Sequence, residues 1–302
     1  MDSDVLPMTP DPLAVAILLL AALILVPLGL RMIDDADRGL SGKRLLRLVV
    51  WLQLPAAVLL GCSFGLDQGN AAAALALPWF LVTLLIASIG GLDLVRRGWQ
   101  LDGNSGFTTA MLFLPVGGGW AVISRAGLRP QDFSHAIVFL TAVHFHYAGF
   151  VLPILAGQTA KEMGRFLHVD TPSPQPSPKR RGSLIDRVML AAIIVGVPLV
   201  GVGISLSPHV EVVAAMLLTG GCVLLAVRQS QAAIASQNAA RLTLLGISSL
   251  ALISAMGLAA VYAVGEFTGE QWVSIPTMIR THGAFNALGF ATCGLLGWAN
   301  AK

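Results

Sequence analysis

The first long apolar run of the chain, residues 12–30, reads PLAVAILLLAALILVPLGL and contains no charged side chain. About 20 such residues, rising about 1.5 Å each, cross the hydrocarbon core of a bilayer as a helix. The residues before this run include Asp2, Asp4 and Asp11 but no Lys or Arg, whereas a signal peptide begins with a positive segment. We therefore expect a retained transmembrane helix over 12–31.

Eight further apolar runs predict helices of the same kind. The chain of 302 residues is 55% hydrophobic and only 12% charged, about half the charged fraction of a soluble domain. This composition predicts an all-α fold, a polytopic helical membrane bundle of about nine transmembrane helices that forms a single transmembrane domain over 1–302. The ninth run is the most polar, since it contains Arg280 and His282 near its start. The eight runs are 45–66, 71–93, 107–124, 134–157, 187–206, 210–227, 242–265 and 276–299.

The positive charges are distributed unevenly between the two sides of this predicted bundle. Sixteen of the nineteen Lys and Arg residues fall on one side, and only Arg125, Arg129 and Arg280 fall on the other. The positive-inside rule then predicts an N-terminus outside and a cytoplasmic C-terminus. No basic stripe with interleaved aromatic residues is present, so the expected partner is the lipid bilayer and not nucleic acid.

The longest predicted cytoplasmic connection contains a low-complexity insertion at 171–182, TPSPQPSPKRRG. A proline-rich and charged segment of this kind cannot bury a core. Two of the six histidines, His168 in this connection and His209 in a short external turn, are expected to be solvated. The other four are candidates for a functional role.

His144 and His146 are predicted to lie near the middle of the bilayer, about 15–18 Å along the fifth helix. Ionisable side chains at this depth are costly and normally face a helix bundle, a cavity or a cofactor. Because the two residues are separated by two positions, their rings point to different faces of the helix, and they address two neighbours. Tyr147 adds a hydroxyl that also needs a partner there.

A second polar group occurs at the predicted outer ends of helices eight and nine. His282 and Asn286 are four residues apart and share a helix face, and Arg280 and Glu266 lie at the same end. His135, at the outer start of the fifth helix, shares a face with His146 about 16 Å away. These residues suggest a histidine site that opens outward, with His144 or His146 deep, His282 above, and Glu266 with Arg280 as a charged lid. An interfacial ion pair or a lipid contact is the other interpretation of Glu266 and Arg280.

Two motifs resemble the YndJ-like family of bacterial polytopic membrane proteins. They are Ala142-Val-His144-Phe-His146-Tyr-Ala-Gly-Phe-Val-Leu-Pro153 and Thr281-His282-Gly-Ala-Phe-Asn286-Ala-Leu-Gly-Phe290. The resemblance covers the chain apart from the 171–182 insertion and implies a multi-pass protein of a bacterial inner (cytoplasmic) membrane, but no reaction. The segment His144 to Tyr147 alone is similar to a helix of haem–copper oxidases in which two histidines bind different haems. The chain has no copper-site pattern, which argues against an oxidase.

Three functions remain open at the level of sequence. The leading hypothesis is an intramembrane histidine site that binds a small molecule, haem or a metal ion, with His144, His146 and His282 as the metal ligands. The second is a transporter or channel that uses the histidines as a proton or substrate path. The third is a non-catalytic membrane scaffold in which each histidine hydrogen-bonds a backbone carbonyl or a hydroxyl and ties helices together.

Overall fold

Long helices make up the protein, and no strand occurs in the part of the chain that the computed structural model describes, residues 10–33, 40–166 and 183–300. The 171–182 insertion and His168 lie outside these residues. Within them, eight helices are long and apolar enough to cross a membrane. They are α1 (Pro12–Met32), α2 (Gly42–Ser63), α3 (Asn70–Arg97), α4 (Gly103–Arg125), α5 (His135–Arg165), α6 (Leu184–Leu206), α7 (Pro208–Ala235) and α8 (Ala239–Thr268).

The ninth predicted span is also helical. This helix, α9, covers 275–299, but it is not among the eight apolar spans. Arg280, His282 and Asn286 fall within its first half and lower its mean hydropathy. The all-α polytopic bundle is confirmed, and the orientation of the termini stays a prediction.

Four stretches of wider π-helical turns interrupt the regular helices. They are Ala21–Leu25 in α1, Tyr147–Val151 in α5, and Ile279–Gly283 and Phe285–Thr292 in α9. In α1 and α5 the wide turn ends two residues before a proline, Pro27 or Pro153. Proline has no N–H and displaces the carbonyl four residues earlier, so the regular hydrogen-bond ladder is interrupted there. Both histidine motifs, 142–153 and 281–290, overlap such wide turns.

The helices fall into two compact units. The first comprises Met1–Arg96 and Ala110–Val151, and the second comprises Arg97–Thr109 and Leu152–Lys302. The single transmembrane domain over 1–302 stays a prediction, and each unit is described by itself.

The first unit closes around a core of large side chains, and an arginine joins two of its helices. Trp79, Leu18 and Phe150 are fully buried. Arg125, at the end of α4, donates from Nη2 to the carbonyls of Ser63 (3.0 Å) and Leu66 (2.6 Å). Ser63 is the last residue of α2 and Leu66 follows it shortly after, at the end where a helix has carbonyls without intrahelical partners, so Arg125 caps α2.

The second unit is built from close helix pairs with glycine at the contacts. A Cβ atom on Gly106 would lie 2.5 Å from the Pro153 carbonyl oxygen, and one on Gly203 would lie 2.5 Å from Glu211 Cα. Small residues that let helix backbones approach are typical of membrane bundles. Ser207 alone joins α6 to α7, and its side chain caps α7 by accepting from the Val210 N–H (3.4 Å). At the other end of this hairpin, Asp186 forms a buried ion pair with Arg228 (2.8 Å).

Candidate functional site

The buried histidine of the first motif connects two helices of the first unit. His146 in α5 is 0% exposed, and its Nε2 atom accepts a hydrogen bond from Nε1 of Trp79 in α3 at 2.9 Å. Its other ring nitrogen, Nδ1, lies 2.7 Å from the carbonyl oxygen of Ala142, one turn earlier in α5. The Trp79 ring is also fully buried. A polar contact between α3 and α5 is thus enclosed in the core.

The chemistry of the two partners fixes the protonation of His146. An indole N–H can only donate and a carbonyl oxygen can only accept. Nε2 must therefore carry a lone pair and Nδ1 must carry the hydrogen, so the ring is neutral. Both nitrogens are used, and in this arrangement His146 has no lone pair to offer a metal ion.

Gly117 in α4 provides the space for the His146 ring. A Cβ atom at this position would lie 2.7 Å from His146 Nδ1 and 3.1 Å from the Ala142 carbonyl oxygen. The next glycine, Gly118, faces Thr83 in the same way, at 2.6 Å from Oγ1. Since α4 continues as a regular helix through this glycine run, the run serves close packing and does not unwind the helix.

Tyr147 links α5 to α1. Its hydroxyl donates to the carbonyl oxygen of Ile17 at 2.9 Å, and the side chain is buried. Tyr147 is the first residue of the wide turn in α5, and Ile17 lies one turn before the wide turn in α1. The hydroxyl is therefore satisfied by a backbone carbonyl of a neighbouring helix.

His144 and His135 occupy different surroundings from His146. His144 is exposed, and its Nδ1 atom lies 2.8 Å from the Leu140 carbonyl oxygen of the same helix. It lies on another face than the buried His146, in agreement with the spacing of two residues. His135 is half-buried at the first position of α5. These four predicted site residues belong to the first unit.

The second motif forms its own hydrogen-bonded group in the second unit. Nδ1 of His282 in α9 lies 2.8 Å from the carbonyl oxygen of Ala255 in α8 and must donate to it. Asn286 donates from Nδ2 to His282 Nε2 (3.0 Å) and to the His282 carbonyl (3.1 Å). The shared face predicted for His282 and Asn286 is observed, and His282 ties α9 to α8.

The two residues of the predicted charged lid are both exposed in the second unit. Glu266 is exposed and lies one turn after Tyr262 in α8. Arg280 is exposed as well, and among the residues that the structure describes no ion pair joins it to Glu266. The lid stays a prediction.

A metal centre has no matching ligand set within 10–33, 40–166 and 183–300. No group of three or more His, Cys, Asp or Glu side chains placed to hold a metal ion occurs there. The histidines of both motifs instead point a ring nitrogen at a backbone carbonyl.

Two residues that contact His146, Trp79 and Gly117, were not predicted from sequence as parts of a site. Trp79 sits within an apolar run, where an aromatic residue most often only fills space. One signal was available, because an indole N–H deep in a membrane needs an acceptor. Gly117 is the first of three consecutive glycines, and no pattern in the sequence connects it to His146.

Comparison with known proteins identifies relatives of this chain. The family model of the YndJ-like proteins matches residues 16–290. A Bacillus subtilis (strain 168) protein described as "Uncharacterized membrane protein YndJ" is 28% identical over 227 residues. This alignment covers 74% of the chain but only 38% of the relative, so the chain spans well under half the length of that protein. No solved structure matches the chain.

Proposed function

Because the chain belongs to the YndJ-like family, we propose that this multi-pass membrane protein acts as a non-catalytic membrane scaffold whose histidines tie helices together. One observation carries the proposal. Both ring nitrogens of the buried His146 are engaged, one by Trp79 of another helix and one by the Ala142 carbonyl. A histidine that holds a ligand or relays protons needs a nitrogen that can exchange its partner.

The contacts of the other motif residues support the same role. Tyr147 donates to a carbonyl of α1, and His282 donates to a carbonyl of α8. Polar side chains that bond across helices stabilise membrane bundles, where water cannot satisfy the backbone. The motif residues thus act as interhelical ties at three places in the fold.

The first test replaces His146 with alanine. We expect the free energy of unfolding to fall by about 2–4 kcal/mol, because a cavity forms and the Trp79 N–H is left buried without an acceptor. His146→Gln should recover part of this loss, since its amide can also accept and donate. SDS-induced unfolding of the purified protein in mixed micelles measures the difference. His144→Ala is the control, and as an exposed site it should cost less than about 1 kcal/mol.

The ligand-binding hypothesis predicts different results for the same proteins. A Soret band or a stoichiometric metal content in the wild type, lost in His146→Ala, would overturn the scaffold proposal. A proton flux into proteoliposomes that is lost in His146→Ala would also overturn the scaffold proposal and would support the transporter hypothesis. If His146→Ala and His144→Ala had the same free energy of unfolding, the contact between His146 and Trp79 would not stabilise the protein, and the scaffold proposal would fail.

We further propose that the protein lies in the cytoplasmic membrane of a bacterium with its N-terminus outside. The support is the charge asymmetry, with sixteen of nineteen Lys and Arg residues on one side. Green fluorescent protein fused to the C-terminus should fluoresce, because it folds in the cytoplasm. Alkaline phosphatase fused there should be inactive, and the opposite pair of results would reverse the topology.

A further inference from the structure

A cluster of charges in the second unit contains one carboxylate and two guanidinium groups. Glu162 near the end of α5 pairs with Arg241 near the start of α8 at 3.2 Å and with Arg165 at 3.1 Å. Arg165 is largely exposed, whereas Arg241 is only 5% exposed. The three side chains together carry one net positive charge.

Arg241 also packs on the indole of Trp298 in α9. Its Cζ atom lies 4.5 Å from the ring centroid, and Trp298 is 2% exposed. A guanidinium over an indole face is a favourable cation–π contact. The charge is therefore held in a fixed place between α5, α8 and α9.

Two donors of this pair have no partner in the described part of the chain. They are the Nε–H of Arg241 and the Nε1–H of Trp298, and both atoms are buried. A buried polar group without a hydrogen bond destabilises the fold, so native structures fill such positions with an ordered water or a ligand. Since both groups can only donate, each of them lacks an acceptor.

The surroundings favour an anionic acceptor at the level of lipid headgroups. Among the described residues, Glu162 is the one carboxylate that pairs with either guanidinium group, which leaves one positive charge over, and guanidinium groups bind phosphate well. Arg165 ends the apolar span of α5, and Arg241 is the third residue of the span of α8. Both spans meet the polar edge of the bilayer here, where phospholipid phosphates lie. Basic pockets between transmembrane helices at the cytoplasmic side bind lipid headgroups.

We propose that Arg241 and Trp298 form a binding site for a phosphate oxyanion, supplied by the headgroup of a phospholipid. The two unpartnered N–H groups donate to phosphate oxygens, and the charge of the phosphate neutralises the Glu162, Arg165 and Arg241 cluster. The proposal does not depend on the role of the two histidine motifs.

The test uses the full chain, purified in detergent and stripped of lipid, with dioleoyl phosphatidylglycerol as the probe. Native mass spectrometry should show one tightly retained lipid per chain, and a thermal melt should show a rise in Tm. Trp298→Phe keeps the aromatic ring but removes the N–H, and it should weaken binding roughly tenfold, as expected for one hydrogen bond to a charged group. Trp272→Phe is the matched control, because that exposed indole bonds Glu270.

Other probes identify the source of the phosphate. Dioleoylglycerol, which lacks phosphate, should not bind. If inorganic phosphate binds instead, and Trp298→Phe weakens its binding to the same degree, the oxyanion site is supported but its ligand is free phosphate. If Trp298→Phe does not fold, the exposed Arg165→Gln variant decides, since removal of its charge should weaken lipid binding. Equal lipid affinity of the variant and the wild type would overturn the proposal and leave water as the partner.

Discussion

Asp186→Ala is expected to reduce the free energy of unfolding by about 3–5 kcal/mol, the loss typical of breaking a buried ion pair. Asp186 is 1% exposed and receives two hydrogen bonds from Arg228, at 2.8 Å and 3.1 Å. Ser183 donates a third at 2.7 Å. Removal of the carboxylate leaves the Arg228 charge without its counter-ion between α6 and α7. SDS-induced unfolding in mixed micelles measures the loss.

A double variant separates the pair from the packing around it. Asp186→Leu combined with Arg228→Met removes both charges and keeps apolar volume, so it should recover most of the stability lost in Asp186→Leu alone. A double variant as unstable as the single one would mean that the pair is not the source of the effect.

Gly117→Ala is expected to destabilise the protein by about 1–3 kcal/mol, the usual cost of overpacking a core. The added methyl group would lie 2.7 Å from His146 Nδ1 and 3.1 Å from the Ala142 carbonyl oxygen. These atoms form the hydrogen bond that orients the ring toward Trp79. The variant should therefore also change the fluorescence of Trp79 in the intact protein. The contribution of Trp79 is obtained by subtracting the emission spectrum of Trp79→Phe from that of the wild type.

Gly119→Ala is the matched control in the same helix. A Cβ atom there would meet Phe80 at 3.4 Å, an ordinary contact with a side chain that can move. We expect this variant to stay within about 0.5 kcal/mol of the wild type. If Gly117→Ala and Gly119→Ala reduced the free energy of unfolding equally, α4 would not tolerate alanine at either glycine. The close contact between Gly117 and the His146 ring would then not explain the effect.

The helices could be predicted from sequence because the membrane imposes one simple requirement. A span needs about 20 apolar residues, and all nine predicted runs are helical. The ninth differs in being more polar, and its start with Arg280 and His282 already indicated this. The wide turns could not be predicted, because prolines such as Pro78 and Pro115 lie in helices that remain regular.

The candidate site was predicted in part. The sequence places His144 and His146 on different faces, but it cannot say which face is buried, since that depends on which helices pack together. The acceptor role of His146 follows only once Trp79 is known to lie beside it, 67 positions earlier in the chain. The same holds for Ala255, a carbonyl partner that no side-chain pattern can reveal.

The single residue between α6 and α7 bears on how the chain enters the membrane. Ser207 is the only residue between the two helices, so there is no loop to translocate, and the ionisable side chains next to this turn are His209 and Glu211. We therefore expect α6 and α7 to insert during synthesis as one helical hairpin. The ion pair between Asp186 and Arg228 then joins the two open ends and completes the hairpin.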